Sequence, residues 1–149
     1  MFKHILVSTD GSTLSSKAVS AAVKLAKTTG AKLTGIYVMA PYAPPVYGEG
    51  AAYVTADLNP RRYKETMAKA ARHALSAVEI ESQTAGVECK TISATNDLPW
   101  EAIIRAAKGK KCDLIVMASH GRRGLAGLLL GSETTKVLTH SKIPVLVCR

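Results

Sequence analysis

Cysteine is scarce and unpaired in this sequence. The three cysteines, Cys89, Cys112 and Cys148, are odd in number and widely spaced, and no Cys-x-x-Cys pair occurs. This distribution argues against a disulfide framework and against zinc or dithiol redox chemistry. We therefore expect reduced, mostly buried thiols.

Long apolar runs are also absent. No stretch approaches the roughly 20 apolar residues that a membrane-spanning helix requires. The first apolar run, Ile5-Leu6-Val7, soon meets Asp10-Gly11, so we expect no signal-peptide core. Hydrophobic residues make up 47% of the chain and charged residues 21%, and the length is 149 residues. We expect a soluble, cytoplasmic protein with a single domain over residues 1–149.

Acidic residues are few relative to basic ones. Eleven Asp and Glu oppose twenty Lys and Arg, which gives a formal net charge of +9. This excess favours polyanionic partners such as nucleotides, nucleic acid or anionic membrane surfaces. The basic residues are scattered and no base-stacking motif accompanies them, which argues against nucleic acid, and we expect no membrane partner.

Several motifs of nucleotide-binding and catalytic proteins are missing. There is no Gly-x-x-x-x-Gly-Lys-Ser/Thr loop and no Gly-x-Gly-x-x-Gly, which argues against a P-loop NTPase and a dinucleotide dehydrogenase. Ser119-His120 lacks the Gly-x-Ser-x-Gly elbow that exposes a nucleophile. We interpret His120 as a residue that fixes its loop or faces phosphate rather than as a catalytic base.

Short apolar runs rich in branched residues predict strands that are covered on both faces. Four of them are nearly unbroken, at residues 5–7, 33–38, 114–117 and 145–147. A fifth segment, residues 87–92, alternates apolar and polar side chains, which is typical of a strand at a sheet edge. The pattern as a whole indicates a parallel sheet.

Segments with a helical period separate these strands. The first ends at Gly30, and the second begins at Asn59-Pro60 and ends at Gly86. Asn96-Asp97 is predicted to cap the third, which has Pro99 in its first turn. The buried stripes of these three helices are predicted to be Leu14, Ala18, Ala22 and Leu25, then Met67, Ala71, Ala74 and Val78, then Trp100, Ile103, Ile104 and Ala107.

The last helix is predicted to start near Ser132, to turn Val137 and Leu138 inward, and to end at residues 141–144. Strands and helices that alternate with right-handed crossovers build a doubly wound α/β sheet with helices on both faces. Ligands of such a sheet bind beyond the carboxyl ends of the strands, where the strand order reverses. The loops after strands one and four are therefore the candidate site.

The long segment between the second strand and the second helix, residues 41–59, is rich in proline, glycine and tyrosine and shows no sustained period. It is predicted to be a loop. Either it covers a site or a partner surface, or it is merely solvated.

The loop after strand one is Ser8-Thr9-Asp10-Gly11-Ser12, and it enters a helix N-terminus. Such a turn offers backbone N–H groups and the positive end of a helix dipole, so it can hold phosphate. The alternative is that Asp10 or Ser12 only caps the helix.

The loop after strand four spans residues 118–132 and contains four glycines with Arg122 and Arg123. Glycine lets the backbone approach phosphate closely, and arginine adds charge and forked donors, so this loop is a candidate anion cradle. The alternative is a glycine-rich connection whose arginines lie in solvent.

Together these segments resemble the universal stress protein family, of the ATP-binding type. That type carries Gly, two residues, Gly, nine residues, Gly and then Ser or Thr; here Gly121, Gly131 and Ser132 fill the last three places, while Ala118 stands in the first. The resemblance spans nearly the whole chain, from the Asp-Gly-Ser loop through residues 96–103 to residues 141–147. It implies a five-stranded, Rossmann-like parallel sheet with strand order 3-2-1-4-5.

The resemblance also implies a site for ATP, with Mg²⁺ or Mn²⁺ carried by the nucleotide and Asp10 on the metal side. The implied binding residues are Ser8, Thr9, Asp10, Val38, Met117, Ala118, Gly121, Arg122, Arg123, Gly131, Ser132, Glu133 and Thr134. Two of these depart from the pattern, because Ala118 adds a methyl group and Glu133 brings a carboxylate near the phosphates.

The function expected from the sequence is that of an ATP-binding regulatory protein of the stress response, read by a protein partner that the sequence does not identify. A homodimer joined through Val145, Leu146 and Val147 is expected, because an apolar edge strand invites pairing. The alternatives are a slow ATPase or phosphotransferase that uses the same pocket, and a nucleotide-free interaction protein. We expect at most very slow ATP hydrolysis.

Overall fold

A computed structural model of the chain describes residues 1–44, 59–121 and 130–149. Within those ranges five strands alternate with four helices. In chain order they are β1 (His4–Ser8), α1 (Thr13–Thr29), β2 (Lys32–Met39), α2 (Pro60–Ala85), β3 (Cys89–Thr95), α3 (Pro99–Gly109), β4 (Leu114–Ala118), α4 (Ser132–His140) and β5 (Val145–Cys148). No helix in the described ranges is long and apolar enough to cross a membrane.

The sheet has the order β3-β2-β1-β4-β5, and every pair of neighbours is parallel. The predicted doubly wound α/β fold is confirmed, and β3 lies at an edge as predicted. Its bounds differ, because Gly86 adopts a left-handed φ of 73° and the Val87 N–H still donates to the Ser82 carbonyl at 2.9 Å. The chain therefore begins to pair with β2 at Cys89 rather than at residue 87, and it stays paired as far as Thr95.

Helices cover both faces of the sheet. Side chains of α1 pack with Val7, Leu33 and Val116 on one face, while Leu6, Ile36 and Met117 pack with α3 and α4 on the other. Successive residues of a strand point to opposite faces, so each central strand is buried on both sides. This packing explains the nearly unbroken apolar runs.

The start of α3 differs from the prediction. Asn96 accepts a hydrogen bond from the Leu98 N–H at 2.8 Å and so closes a turn ahead of the helix, rather than capping it. The N-cap residue is Leu98, which has no capping oxygen. Pro99 at the first helical position keeps the preceding residue out of the helical conformation, which moves the cap past Asn96-Asp97.

The inward face of α4 also differs. Val137 is fully buried as predicted, but Leu138 is 41% exposed, and Thr134 is buried instead. The buried face is centred between residues 134 and 137, which are three positions apart, and residue 138 lies about 70° from that centre, at the margin of the face. The expectation for Leu138 was therefore wrong.

The three cysteines are free, with Cys112 buried and the other two half-buried. Burial raises the pKa of the Cys112 thiol to about 11 and also raises the pKa of the Cys89 and Cys148 thiols. Thiols with raised pKa values are weak nucleophiles. The burial expected from the sequence is found for Cys112, whereas Cys89 and Cys148 are only partly buried.

Candidate functional site

The loop after β1 is held by its own side chains. The Thr9 N–H donates to the Ile36 carbonyl at 3.0 Å and fixes the loop against β2. Gly11, with a left-handed φ of 77°, donates its N–H to Thr9 Oγ1 at 3.1 Å. Ser12 donates its N–H to Asp10 Oδ1 at 3.0 Å. These N–H groups are satisfied within the loop, so a phosphate would have to compete for them.

Ser12 is the N-cap of α1. Its Oγ accepts a hydrogen bond from the Ser15 N–H at 3.2 Å, as in an ordinary capped helix. Of the two roles that the sequence left open for this turn, the geometry favours helix capping. The loop after β4 and the start of α4 therefore remain as the candidate for holding phosphate.

The start of α4 is different, because its N-cap is Gly131 and no described side chain caps it. The N–H groups of residues 132–134 therefore stand at the positive end of the helix without a capping oxygen from the described residues. Such a helix start is a ready site for an anion.

Two glycines allow close approaches around this helix start. A Cβ atom added at Gly121 would lie 2.7 Å from Asp10 Oδ2, so the loops after β1 and β4 meet there. A Cβ atom added at Gly131 would lie 3.1 Å from the His120 Cβ. Gly131 has an extended backbone, with φ −73°, so glycine serves the close contact there rather than an unusual conformation.

A cavity of about 230 Å³ lies beyond the carboxyl ends of β1, β2 and β4, where the strand order reverses. Its walls include an apolar part from β2, β4 and α3 and a polar part from the two loops and α4. It is lined by Ser8, Thr9, Asp10, Ser15, Ile36, Val38, Pro99, Ile103, Met117, Ala118, His120, Gly121, Glu133 and Thr134.

Nine of the residues implied by the resemblance line this cavity: Ser8, Thr9, Asp10, Val38, Met117, Ala118, Gly121, Glu133 and Thr134. Gly131 and Ser132 lie at the adjoining start of α4. Arg122 and Arg123 lie outside the described residues.

Five lining residues were not among the predicted site residues. Ile36 could have been found, since it shares a strand face with Val38 two positions later. Pro99 and Ile103 reach the cavity through the packing of α3, which no local pattern reveals. Ser15 lies on α1, and His120 faces the cavity while its Nδ1 lies 3.1 Å from Ser119 Oγ.

Ala118, where the family motif has its first glycine, ends β4. Its carbonyl accepts a hydrogen bond from Thr134 Oγ1 at 2.9 Å, which ties the strand end to α4. Its methyl group packs in the core cluster on the α1 side of the sheet, whereas Met117 packs on the α3 side. The methyl group is therefore part of the core as well as of the cavity wall.

Glu133 uses its carboxylate on a neighbouring helix. Oε2 accepts a hydrogen bond from the Trp100 N–H at 3.0 Å, and Oε1 lies 3.2 Å from Lys136 Nζ. Glu133 thus supplies the first turn of α3 with the acceptor that Leu98 lacks. Its negative charge also interacts favourably with the positive end of the α3 dipole.

The described part of the cavity wall carries two acids, Asp10 and Glu133, and no lysine or arginine. In the described residues no group of three His, Cys, Asp or Glu could hold a metal ion. A metal at this site would therefore need further ligands from the molecule that it accompanies. The favourable field for an anion in the described part comes from the start of α4.

These features define a doubly wound α/β protein whose candidate site lies at the point where the strand order reverses. A sequence model of the universal stress protein family matches residues 1–149. The chain belongs to the universal stress protein family.

Relatives agree with this membership. Universal stress protein YxiE of Bacillus subtilis is 35% identical over all of both chains. Universal stress protein MJ0531 of Methanocaldococcus jannaschii is 32% identical over all of this chain and 83% of its own.

Solved structures share the fold. That of the hypothetical protein MJ0577 superposes with a TM-score of 0.80 at 25% identity, covering 99% of this chain and 96% of its own. A universal stress protein in complex with cAMP superposes with a TM-score of 0.72 at 26% identity, covering 99% and 97%.

Proposed function

We propose that this protein binds ATP in the cavity beyond β1, β2 and β4 and acts as a nucleotide-dependent regulatory module of the stress response. The observation that carries the proposal is the start of α4, which no described side chain caps, beside a partly apolar cavity. A helix start of this kind favours phosphate, and an apolar wall favours a base. The related protein in complex with cAMP supports an adenine nucleotide as the ligand class.

The adenine belongs at the apolar end of the cavity. Ile36, Val38, Ile103 and Met117 line that end, and the resemblance assigns the adenine contact to the backbone of Val38. At about 230 Å³ the cavity is smaller than the roughly 300–1,000 Å³ of typical ligand sites. It therefore suits the nucleoside, and the phosphates extend along the start of α4.

The phosphates are assigned to the N–H groups of residues 132–134, with Gly121 and Gly131 keeping the backbone close. The resemblance also assigns Arg122 and Arg123 to the phosphates. Ser8, Thr9 and Asp10 are assigned to the ribose and metal side. A Mg²⁺ or Mn²⁺ ion would arrive with the nucleotide. Asp10 would supply one carboxylate ligand, and phosphate oxygens of the nucleotide would supply others.

A route for regulation starts at Glu133. This residue lies at the phosphate-facing start of α4, and its carboxylate holds the first turn of α3 through the Trp100 N–H. Movement of α4 on ligand binding would therefore be passed to α3 and to the outer surface of both helices. We propose that a protein partner in the cytoplasm reads this surface.

The test is nucleotide binding with and without an intact helix start. Purified protein is denatured and any copurified nucleotide is identified by mass spectrometry, and ATP binding is measured by calorimetry. Gly131→Val is expected to abolish binding, because its side chain displaces His120 from the start of α4. Thr139→Ala, at the exposed far end of the same helix, is the control and should bind normally.

Circular dichroism must show that the Gly131→Val variant is folded. ATP bound equally well by wild type and by this folded variant would remove α4 from the site. No copurified nucleotide together with no calorimetric binding would leave the nucleotide-free interaction protein as the better description.

A further inference from the structure

A second cavity lies at the opposite end of the sheet from the proposed nucleotide site. It has a volume of about 480 Å³ and opens between the first residues of β1, β2 and β3 and the C-terminal end of α3. It is lined by His4, Lys32, Leu33, Thr34, Glu88, Lys90, Thr91, Ile92, Gly109, Lys110 and Lys111.

The wall of this cavity is strongly positive. Four lysines, Lys32, Lys90, Lys110 and Lys111, face one acid, Glu88, so three positive charges remain in excess. The adjoining cavity of about 290 Å³ shares Lys32 and Glu88 and adds two more lysines. The nucleotide site does not account for this charge, because its described wall has two acids and no lysine or arginine.

The floor of the cavity is polar and neutral. His4 is buried, and its Nε2 lies 2.8 Å from Thr34 Oγ1. Burial, together with the charge of Lys32, lowers the pKa of the His4 imidazole. The positive charge therefore belongs to the flexible lysines at the rim, which can converge on a ligand above a fixed floor.

Among the described residues, Lys111 is the one residue other than glycine that has a left-handed backbone conformation. It adopts a left-handed φ of 57° two residues past the end of α3, and the next N–H, that of Cys112, donates to the Ala107 carbonyl at 2.8 Å. The matching hydrogen bonds after α1 and α2, from Ala31 to Ala26 and from Val87 to Ser82, are each preceded by a glycine, Gly30 and Gly86, with φ of 70° and 73°.

Glycine accepts this conformation freely, whereas a residue with a Cβ atom is strained there. Stability alone therefore favours glycine at position 111. Positions at which a sequence violates a local preference are often functional sites, and Lys111 carries one of the four charges around the cavity.

We propose that the cavity at the amino ends of β1, β2 and β3 binds a linear oligophosphate. Three excess positive charges match a ligand with several negative charges, and lysine ammonium groups bind phosphate oxygens as point charges. The volume exceeds that of one phosphate group, and the positive wall continues into the adjoining cavity. The ligand is either a free oligophosphate or the phosphate chain of a nucleotide.

The test uses inorganic tripolyphosphate and calorimetry at low salt. Wild type is expected to bind one equivalent, with affinity that falls as salt rises. Lys111→Gly and Lys90→Gln should each weaken binding about tenfold, the effect of losing one hydrogen bond to a charged group. Lys64→Gln, which removes an exposed charge on α2, is the matched control for Lys90→Gln and should leave binding unchanged.

Two further measurements keep the outcome clear. Lys111→Gly should raise the free energy of unfolding, so weaker binding by this variant cannot come from unfolding. Amide shifts on adding tripolyphosphate should fall on residues 32–34, 90–92 and 109–111 and persist in Gly131→Val, in which the proposed nucleotide site is closed.

Wild-type affinity in Lys111→Gly, or an equal loss in Lys64→Gln, would overturn the proposal, as would amide shifts confined to residues 131–134. Binding of ATP by Gly131→Val with the same dependence on Lys111 would identify a nucleotide as the source of the phosphate chain. Binding of tripolyphosphate but not of ATP by Gly131→Val would identify a free oligophosphate as the ligand.

Discussion

At Ala118 a methyl group stands where the family motif has glycine, and its packing determines what it does. Ala118 lines the cavity but is only 8% exposed, and its methyl group packs in the core cluster on the α1 side. Ala118→Gly should therefore leave ATP affinity unchanged and lower the free energy of unfolding by about 0.5–1 kcal/mol. Calorimetry and urea unfolding measure the two effects. Tighter ATP binding by the variant would show that the methyl group obstructs the ligand.

His4 should make stability depend on pH. Burial, followed by the charge of Lys32, lowers the pKa of the folded imidazole below its ordinary value of 6.5. The unfolded chain then binds more protons just below pH 6.5, so stability is fully present above this pH and is lost as the pH falls towards the folded pKa. Urea unfolding at pH 7.5 and pH 5.5 should show a smaller loss in His4→Gln than in wild type. Equal losses in the two proteins would contradict the assignment to His4.

At the scale of elements, Glu133 joins α4 to α3. Its carboxylate is the acceptor for the Trp100 N–H in a helix whose own N-cap residue has none. Glu133→Ala should destabilise the protein by about 1 kcal/mol, typical of a lost cap, and Glu133→Gln by less. Glu65→Ala, which breaks an exposed pair with Arg61, is the control and should cost little. A cost for Glu133→Ala no larger than that of the control would show that the cross-helix cap contributes nothing.

The same contact bears on ATP hydrolysis. Asp10 and Glu133 are the acids in the described wall of the cavity, and Glu133 is engaged with α3 and Lys136. Fast hydrolysis needs a group that orients or deprotonates the attacking water. Turnover of radiolabelled ATP with Mg²⁺ should therefore stay well under about 1 per second. Release at enzyme-like rates, lost in an Asp10→Ala variant that still binds ATP, would favour the slow-ATPase alternative instead.

Local patterns predicted the elements well where the signal lies within one segment. The left-handed glycines after α1 and α2 and the cap at Asn59 can be read directly from the sequence, because each depends on a few adjacent residues. The cap of α3 could not be predicted, since its acceptor, Glu133, comes from a helix 33 positions away. The contribution of Pro99 and Ile103 to the cavity wall could not be predicted for the same reason, because it depends on packing between elements.

At the scale of the whole molecule, the two ends of the sheet have opposite character. The carboxyl ends of the strands meet a cavity whose described wall is acidic, apart from the helix start of α4. The amino ends meet two adjoining cavities rimmed by lysines. The net charge of +9 predicted a polyanionic partner, but it could not show where the charge would gather, because the lysines are far apart in the sequence.

The edges of the sheet are the remaining feature of the whole molecule that bears on function. The Ile115 and Ser119 N–H groups donate to the carbonyls of Pro144 and Cys148 at 2.9 and 2.7 Å. Alternate residues of a strand bond to opposite sides, so Val145 and Val147 direct their N–H and C=O groups to the open edge. This edge is uncharged and is available for pairing with a second copy.

We therefore expect a homodimer joined through Val145, Leu146 and Val147. Val147→Pro removes an outward N–H without breaking a bond to β4, so it should give a folded monomer. Ser93→Pro is the matched control for the other edge strand, β3. The residues that flank β3, Glu88 and Asn96, bond to β2, so the alternating pattern directs the backbone groups of Ser93 to the open side. Analytical ultracentrifugation at micromolar concentration should find dimers for wild type and Ser93→Pro and monomers for Val147→Pro. A monomeric wild type with freely exchanging β5 amides would contradict the dimer. Dissociation by Ser93→Pro but not by Val147→Pro would place the dimer contact at β3 instead.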